Sequence, residues 1–265
     1  MSVVLVTGAT SGLGRGVAIE LAQRGATVLV HGRDQAKIDA VVGEIGSGNA
    51  RGYRADLASL AGVESLARAV VEGEERLEVL VNNAGVAVGE RQESADGIEL
   101  DFAVNHLAGF VLTGRLLPLL RRSAPARIVN VASIGQAPLD PEDPLLERDW
   151  ESFRAYAQSK LAQIAFTVEL AERLGGDAGV TVNALHPATL MDTEMVRSSF
   201  GRAQSTIADG VGPVVRLALD DDVADTTGQF FDQTRAKRAD AQAYDPQARA
   251  FLWDLSVKLA GSDPY

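Results

Sequence analysis

"VVLVTGATSGLGRGVAIELAQRG", residues 3–25, decides the fold. Val3 to Thr7 form a β-branched apolar run too short for a helix, which reads as a buried strand. Helical periodicity then runs to Gly25, a C-terminal stop. Between them lies "TGATSGLG" (7–14), in which Gly8, Gly12 and Gly14 remove side chains where a backbone must approach closely. The N-terminus of the following helix offers unpaired N–H groups and a partial positive charge, a seat for a pyrophosphate. The spacing is GxxxGxG, a variant of the general GxGxxG dinucleotide fingerprint.

Outward from this unit, strand-like runs alternate with helical patterns. "TVLVHG" (27–32), the weaker "RGYRAD" (51–56), the start of "LEVLVNNAG" (77–85), "RIVNVAS" (127–133), "VTVNALHP" (180–187) and "GQFFD" (228–232) read as strands. Helices are expected from Asp34, a plausible N-cap, over 59–73, 99–120 and 152–174, and over the amphipathic C-terminal 246–260. Apolar strands alternating with helices mean a parallel sheet covered on both faces. The fold class is α/β: a single Rossmann-type doubly wound sheet of about seven strands in the order 3-2-1-4-5-6-7, formed by one domain spanning 1–265.

The formal net charge of −11 argues against a nucleic-acid partner, because phosphate backbones repel an acidic surface. The chain has no cysteine, which excludes disulfides and thiolate chemistry. His31, His106 and His186 lie far apart without metal-ligand spacing, so no metal centre is expected. His106 and His186 read as packing or capping residues. The apolar segment from Phe102 to Leu120 is interrupted by Asn105, His106, Arg115 and Pro118, and reads as a buried helix rather than a membrane span. The N-terminus carries no signal-peptide pattern, and the expectation is a soluble, cytoplasmic protein.

The second strand should end near an adenine ribose. An NAD site places an acid there. Here the strand ends "VHGRD", with Gly32 near that place and Arg33 beside it, an arrangement suited to a 2′-phosphate and hence to NADP. The alternative is a surface arginine paired to Asp34. Asp56, followed by Leu57, stands where it either bonds the adenine or caps a helix. In "AYAQSK" (155–160), Tyr156 and Lys160 are four apart, one turn on the same helix face. A tyrosine ordinarily titrates near ~10, and a close ammonium favours its phenolate, bringing the group toward use as an acid–base catalyst.

Four marks stand in order: Thr7-Gly-Ala-Thr-Ser-Gly12-Leu-Gly14, Asn82-Asn83-Ala84-Gly85, Ser133 and Tyr156-x-x-x-Lys160. Together they resemble the short-chain dehydrogenase/reductase family. "VNHLAGFVLT", "AYAQSKLAQIAFTVEL", "NALHPAT" and the Trp253 tail are similar to its retinol-dehydrogenase-like branch. The resemblance implies that Tyr156 is the general acid in carbonyl reduction and the base in alcohol oxidation. Lys160 would tune Tyr156 and hold the nicotinamide ribose, Ser133 would bond the substrate oxygen, and Asn105 would keep a relay water. Gly8, Thr10, Ser11, Gly12, Leu13, Gly14, Arg33, Asp56, Leu57, Asn83, Ala84, Gly85, Pro187 and Thr189 would line NADP(H), and Asn82 would brace the sheet. The family's Pro-Gly after strand six is Pro187-Ala188 here. Thr189 and Thr193 both stand near the place of the carboxamide-binding threonine.

The expected activity is NADPH-dependent hydride transfer between nicotinamide and the carbonyl or alcohol of a lipophilic small molecule, with reduction favoured. Epimerisation or dehydration through transient oxidation, and a non-catalytic NADP-binding regulatory module, are the alternatives. Two apolar segments, 134–152 (Leu139, Leu145, Leu146, Trp150) and 186–205 (Leu190, Met191, Met195, Phe200), are expected to cover the substrate. The resemblance further implies a homodimer or homotetramer through helices 99–120 and 152–174, with Leu116, Leu117, Leu161, Ile164 and Phe166 as contact residues.

Overall fold

The sheet grows from the apolar strand β1 (Val3–Val6), flanked in parallel register by β2 (Thr27–Gly32) and β4 (Val79–Asn82), with Val4 opposite both Val28 and Val79. β3 (Ala50–Arg54) lies outside β2. β5 (Ala126–Val131), β6 (Val180–His186) and β7 (Phe230–Asp232) continue beyond β4. The computed structural model describes residues 1–175 and 179–265. The expected order holds, and an eighth strand is added at the edge: β8 (Arg235–Ala236) pairs antiparallel with β7 after a turn carrying Gln233 at φ 56°. Two residues are too few for a periodic pattern, which is why seven strands were expected.

Alternate residues of β1 face opposite layers, as strand geometry requires. Leu5 joins the core under α3 (Leu60–Gly73), α4 (Ala108–Arg122), α5 (Ser152–Leu174) and α8 (Pro246–Ala260). Val4 and Val6 join the core under α1 (Gly12–Gln23), α2 (Gln35–Ile45) and α7 (Ile207–Leu219). The order reverses at β1, so the turns after β1 and β4 open one crevice at the carboxyl ends of the strands.

Helix α7 went unanticipated because Gly210, Gly212 and Pro213 depress its local propensity. A reciprocal cap between Thr206 and Asp209 and burial of Val214, Val215 and Leu217 override that. The expected helix over 99–120 begins instead with a π-helical turn, Phe102–Leu107, before α4. The whole of Phe102–Arg122 is long and apolar enough to cross a membrane by length and composition, but 78% of its most apolar window is buried inside this domain.

The residues expected at a subunit contact are already inside the chain. Leu116, Leu117, Leu161, Ile164 and Phe166 are all buried, in the core shared with α8 residues Leu252 and Trp253. Of the two expected covering segments, 134–152 carries Leu139 and Leu146 into the core, because the side-chain amide of Gln242 pairs with both the N–H and the carbonyl of Leu139. The segment 186–205 does cross the crevice. It contains the short helix α6 (Glu194–Ser199), and Ser199 Oγ donates to the carbonyl of Ala87 at 2.7 Å.

Candidate active site

The turn after β1 closes tightly. Gly8 and Gly12 hold φ of 66° and 51°, the left-handed region that favours glycine. A Cβ on Gly14 would overlap the carbonyl oxygen of Gly8 and the amide nitrogen of Asn83. Thr7 Oγ1 accepts from the backbone N–H groups of Asn83 (2.9 Å) and Ala84 (3.0 Å), and Asn83 Nδ2 donates to the carbonyl of Thr7 (2.8 Å). Asn83 therefore ties the β4 turn to the β1 turn. Asn82 braces the sheet, donating to Asn130 Oδ1 (2.9 Å) and Thr113 Oγ1 (3.1 Å). The methyl of Thr193 lies over Gly12, 3.2 Å from where a Cβ would stand, whereas the Thr189 hydroxyl bonds His186 at 3.1 Å. Ser11 is the N-cap of α1, and Leu13 is buried at its start. Pro187 is buried beside them.

At the adenine end, Thr10 packs on Gly32, where a Cβ would come within 2.5 Å of the Thr10 methyl. Arg33 is exposed. Asp34 caps α2 through Ala36 and Lys37, and no ion pair joins it to Arg33 among the described residues. Asp56 is exposed, with one oxygen accepting from Ala58 N at 3.0 Å, and Leu57 is buried behind it. His31 carries an unanticipated role. Its Nδ1 accepts from the N–H of Gly8 (3.2 Å) and its Nε2 faces the carbonyl of Ala55 (3.3 Å), so it bridges the β1 turn and the end of β3. Burial pushes this imidazole down to about 4.

The other end of the crevice gathers Asn105, Ser133, Tyr156 and Lys160. A Cβ on Gly85 would meet Asn105 Oδ1 at 3.1 Å and Lys160 Nζ at 3.4 Å, so these two groups converge on one glycine. The π-turn, a feature frequent at functional sites, carries Asn105. Asn105 Oδ1 accepts from Val86 N (2.7 Å), while Nδ2 donates to Val86 O (2.9 Å) and Ser159 Oγ (2.8 Å). Ser159 in turn donates to the carbonyl of Tyr156 at 2.7 Å.

Tyr156 is part-exposed to the crevice. Burial of its phenol raises its pKa, the Ser133 hydroxyl beside it draws the pKa back, and the negative charge of Asp101 pushes it further up. The expected ammonium–phenol pairing is therefore not the dominant influence here. Lys160 Nζ lies 5.7 Å from the Tyr156 ring centroid and bonds Gln163 Oε1 (2.9 Å) and the carbonyl of Val131 (3.0 Å). Burial brings Lys160 down to about 8. Phe200 meets Tyr156 edge-on with centroids 5.3 Å apart, and Ile134 (42% exposed) and Phe153 (52%) present apolar surface nearby on the chain.

Thr7, Ser159, Gln163 and Asp101 were not singled out in the sequence. A signal existed for the α5 pair: Tyr156, Ser159, Lys160, Gln163 and Thr167 form one polar stripe along α5, buried from Ser159 to Thr167. His106 is structural, as expected. It is buried among Phe102, Phe110 and Phe166 with Nε2 on Ser256 Oγ at 2.8 Å.

The short chain dehydrogenase family model matches residues 2–203. Retinol dehydrogenase 13 of Homo sapiens is 36% identical over 280 residues, covering 97% of this chain and 84% of the relative. An uncharacterized protein from Mycobacterium paratuberculosis superposes with a TM-score of 0.81 at 30% identity, over 100% of this chain and 95% of its own. A short chain dehydrogenase from Shigella flexneri complexed with NADP superposes with a TM-score of 0.71 at 28% identity, over 88% and 96%. The match runs from the glycine turn through Tyr156 and Lys160 to the crevice-crossing segment, and with it the chain belongs to the short chain dehydrogenase family, in its retinol-dehydrogenase-like branch.

Proposed function

We propose that the protein is an NADPH-dependent oxidoreductase that reduces a ketone or aldehyde carbonyl on a lipophilic small molecule. The observation that carries this reading is the Tyr156 phenol, beside the Ser133 hydroxyl at the end of the glycine-lined crevice. Reduction needs a proton donor at the substrate oxygen, and the Tyr156 phenol, protonated at neutral pH, is placed to be that donor.

The chain's own groups fit a dinucleotide. The backbone cradle at Gly8, Gly12 and Gly14 leaves no room for side chains where phosphates would approach. Thr10 occupies the space an acidic side chain at position 32 would need, and Arg33 is exposed beside it, which favours a 2′-phosphate. Bound NADPH would supply the hydride. Ser133 and Tyr156 would hold the carbonyl oxygen and stabilise the negative charge developing on it, and Tyr156 would protonate it. Lys160 and Asn105, converging on Gly85, would hold the ribose and the proton path behind Tyr156. Phe200, Phe153 and Ile134 would exclude water and receive an apolar body.

Consumption of NADPH with a panel of aromatic and aliphatic ketones and aldehydes tests the reading. Turnover is expected with apolar carbonyls, and Tyr156→Phe is expected to cut it by roughly 10²–10⁴-fold while NADPH still binds. A Tyr156→Phe enzyme as fast as the parent would remove the tyrosine from the chemistry.

A further inference from the structure

Lys160 is 4% exposed, and its ammonium is bonded only to neutral acceptors, Val131 O and Gln163 Oε1. No carboxylate makes an ion-pair contact with it among the described residues. A buried ammonium so placed loses its hydration and tends to release its proton. The negative charge that opposes this comes from Asp101, which lies in the helical turn just ahead of Asn105.

Asp101 is unusual in its own right. It is 0% exposed, its Oδ1 has no hydrogen-bond partner, and its Oδ2 accepts a long 3.5 Å bond from Val88 N, with the Asn105 side chain also beside the carboxylate. Asn105 binds Val86 on the same loop, and Asn105 and Lys160 meet at Gly85, so Asp101, Asn105 and Lys160 all approach the one loop from Gly85 to Val88. Its isolation is unexplained by packing or capping. Its neighbour Glu99 performs the capping, accepting from Phe102 N (2.8 Å) and Trp150 Nε1 (3.3 Å).

We propose that Asp101 is a positioning residue, the buried counter-charge that keeps Lys160 protonated across the gap between the π-turn and α5. The charged and titratable groups that act on the pair are Glu99 on the same segment and Tyr156 on α5; the Val86–Val88 loop offers backbone, Val131 of β5 its carbonyl, and Ser133 beyond β5 a hydroxyl. Burial and the charge of Glu99 push Asp101 up to about 7, while burial brings Lys160 down to about 8 and the charge of Asp101 opposes that fall. The consequence for turnover rests on the reductase reading; the electrostatic claim does not.

The test is a titration of ¹³Cε-lysine-labelled protein without cofactor. The chain has four lysines, Lys37, Lys160, Lys237 and Lys258, and a Lys160→Met sample assigns the signal. In the parent, the Lys160 resonance is expected to titrate near 8 with a second inflection near 7 as Asp101 ionises. In Asp101→Asn the Lys160 midpoint is expected to fall by roughly one pH unit, with the other three lysines unmoved, and Asp101→Glu is expected to restore it. A parent curve without the second inflection, or an Asp101→Asn curve superimposable on the parent's, would overturn the proposal. Should Asp101→Asn not fold, the parent's second inflection decides alone. If the lysine titration moves while the alkaline limb of NADPH-dependent turnover stays fixed, the counter-charge stands and the role given to Lys160 in reduction falls.

Discussion

Thr10 stands over Gly32 so closely that a Cβ at position 32 would come within 2.5 Å of the threonine methyl. The end of β2 is therefore shaped around a missing side chain, with the exposed Arg33 as its neighbouring charge. Arg33→Ala is expected to weaken NADPH by roughly 10–100-fold, the worth of a charge-assisted hydrogen bond, and NADH by far less. Dissociation constants for both nucleotides check this, and equal loss for the two would end the 2′-phosphate assignment.

Gly14 is expected to be irreplaceable. The atoms a Cβ would strike are the backbone oxygen of Gly8 and the Asn83 amide that ties β4 to β1, and neither has a free rotation to yield. Gly14→Ala should cost about 1–3 kcal/mol by overpacking and abolish nucleotide binding. Gly43→Ala, in α2 with open space around the Cβ site, is the control and should retain binding. Calorimetry and thermal melts of the two variants distinguish them.

The glycine turn, the sheet order and the four family marks were legible because each is a local pattern whose physics is local: a turn, a period, an i,i+4 pair. What escaped was set by packing between distant segments. The π-turn at Phe102–Leu107 leaves no mark in a run that reads as an ordinary apolar helix. Leu139 looks like part of a substrate cover until Gln242, about a hundred residues on, pins it down. Lys160 and Tyr156 share a face as their spacing requires, but the spacing could not show Gln163 drawing the ammonium away from the phenol. Asp101 is invisible in sequence for the same reason, since only burial makes an aspartate informative.

Acid should destabilise the fold before its carboxylates titrate. Burial holds His31 at about 4 and His106 at about 3, and lowers His186, all below the ordinary histidine value of roughly 6.5. The unfolded chain binds these protons first, so the stability they represent is complete above about 6.5 and is lost as pH falls toward the folded values. Asp101, raised to about 7, works in the opposite sense over the same interval by holding a proton in the folded state. Near pH 5, His31 and His106 against Asp101 leave a net slope of about one proton, roughly 1.4 kcal/mol per pH unit, and the lowered His186 adds to it in the same sense. Chemical denaturation at pH 7, 6 and 5 measures it. His106→Gln should shallow the slope by one proton; an unchanged slope would show that His106 is not the buried neutral group described.

Trp253 closes the face of α4 and α5 on which a subunit contact was expected. Its ring lies 5.0 Å from Phe110 and 4.7 Å from Tyr265, with the Arg173 guanidinium 3.8 Å from its centroid. The tail continues over α4, where Pro264 lies against Gly114 and the Tyr265 hydroxyl donates to the Phe110 carbonyl at 2.9 Å. Trp253→Ala removes the ring that joins α8 to α4 and α5 and should cost about 3–5 kcal/mol. Uncovering Phe110 and Phe166 should also give the variant a concentration-dependent mass in sedimentation that the parent lacks. A parent that already sediments as a stable dimer, or a variant as stable as the parent, would show that α8 is not what satisfies this face.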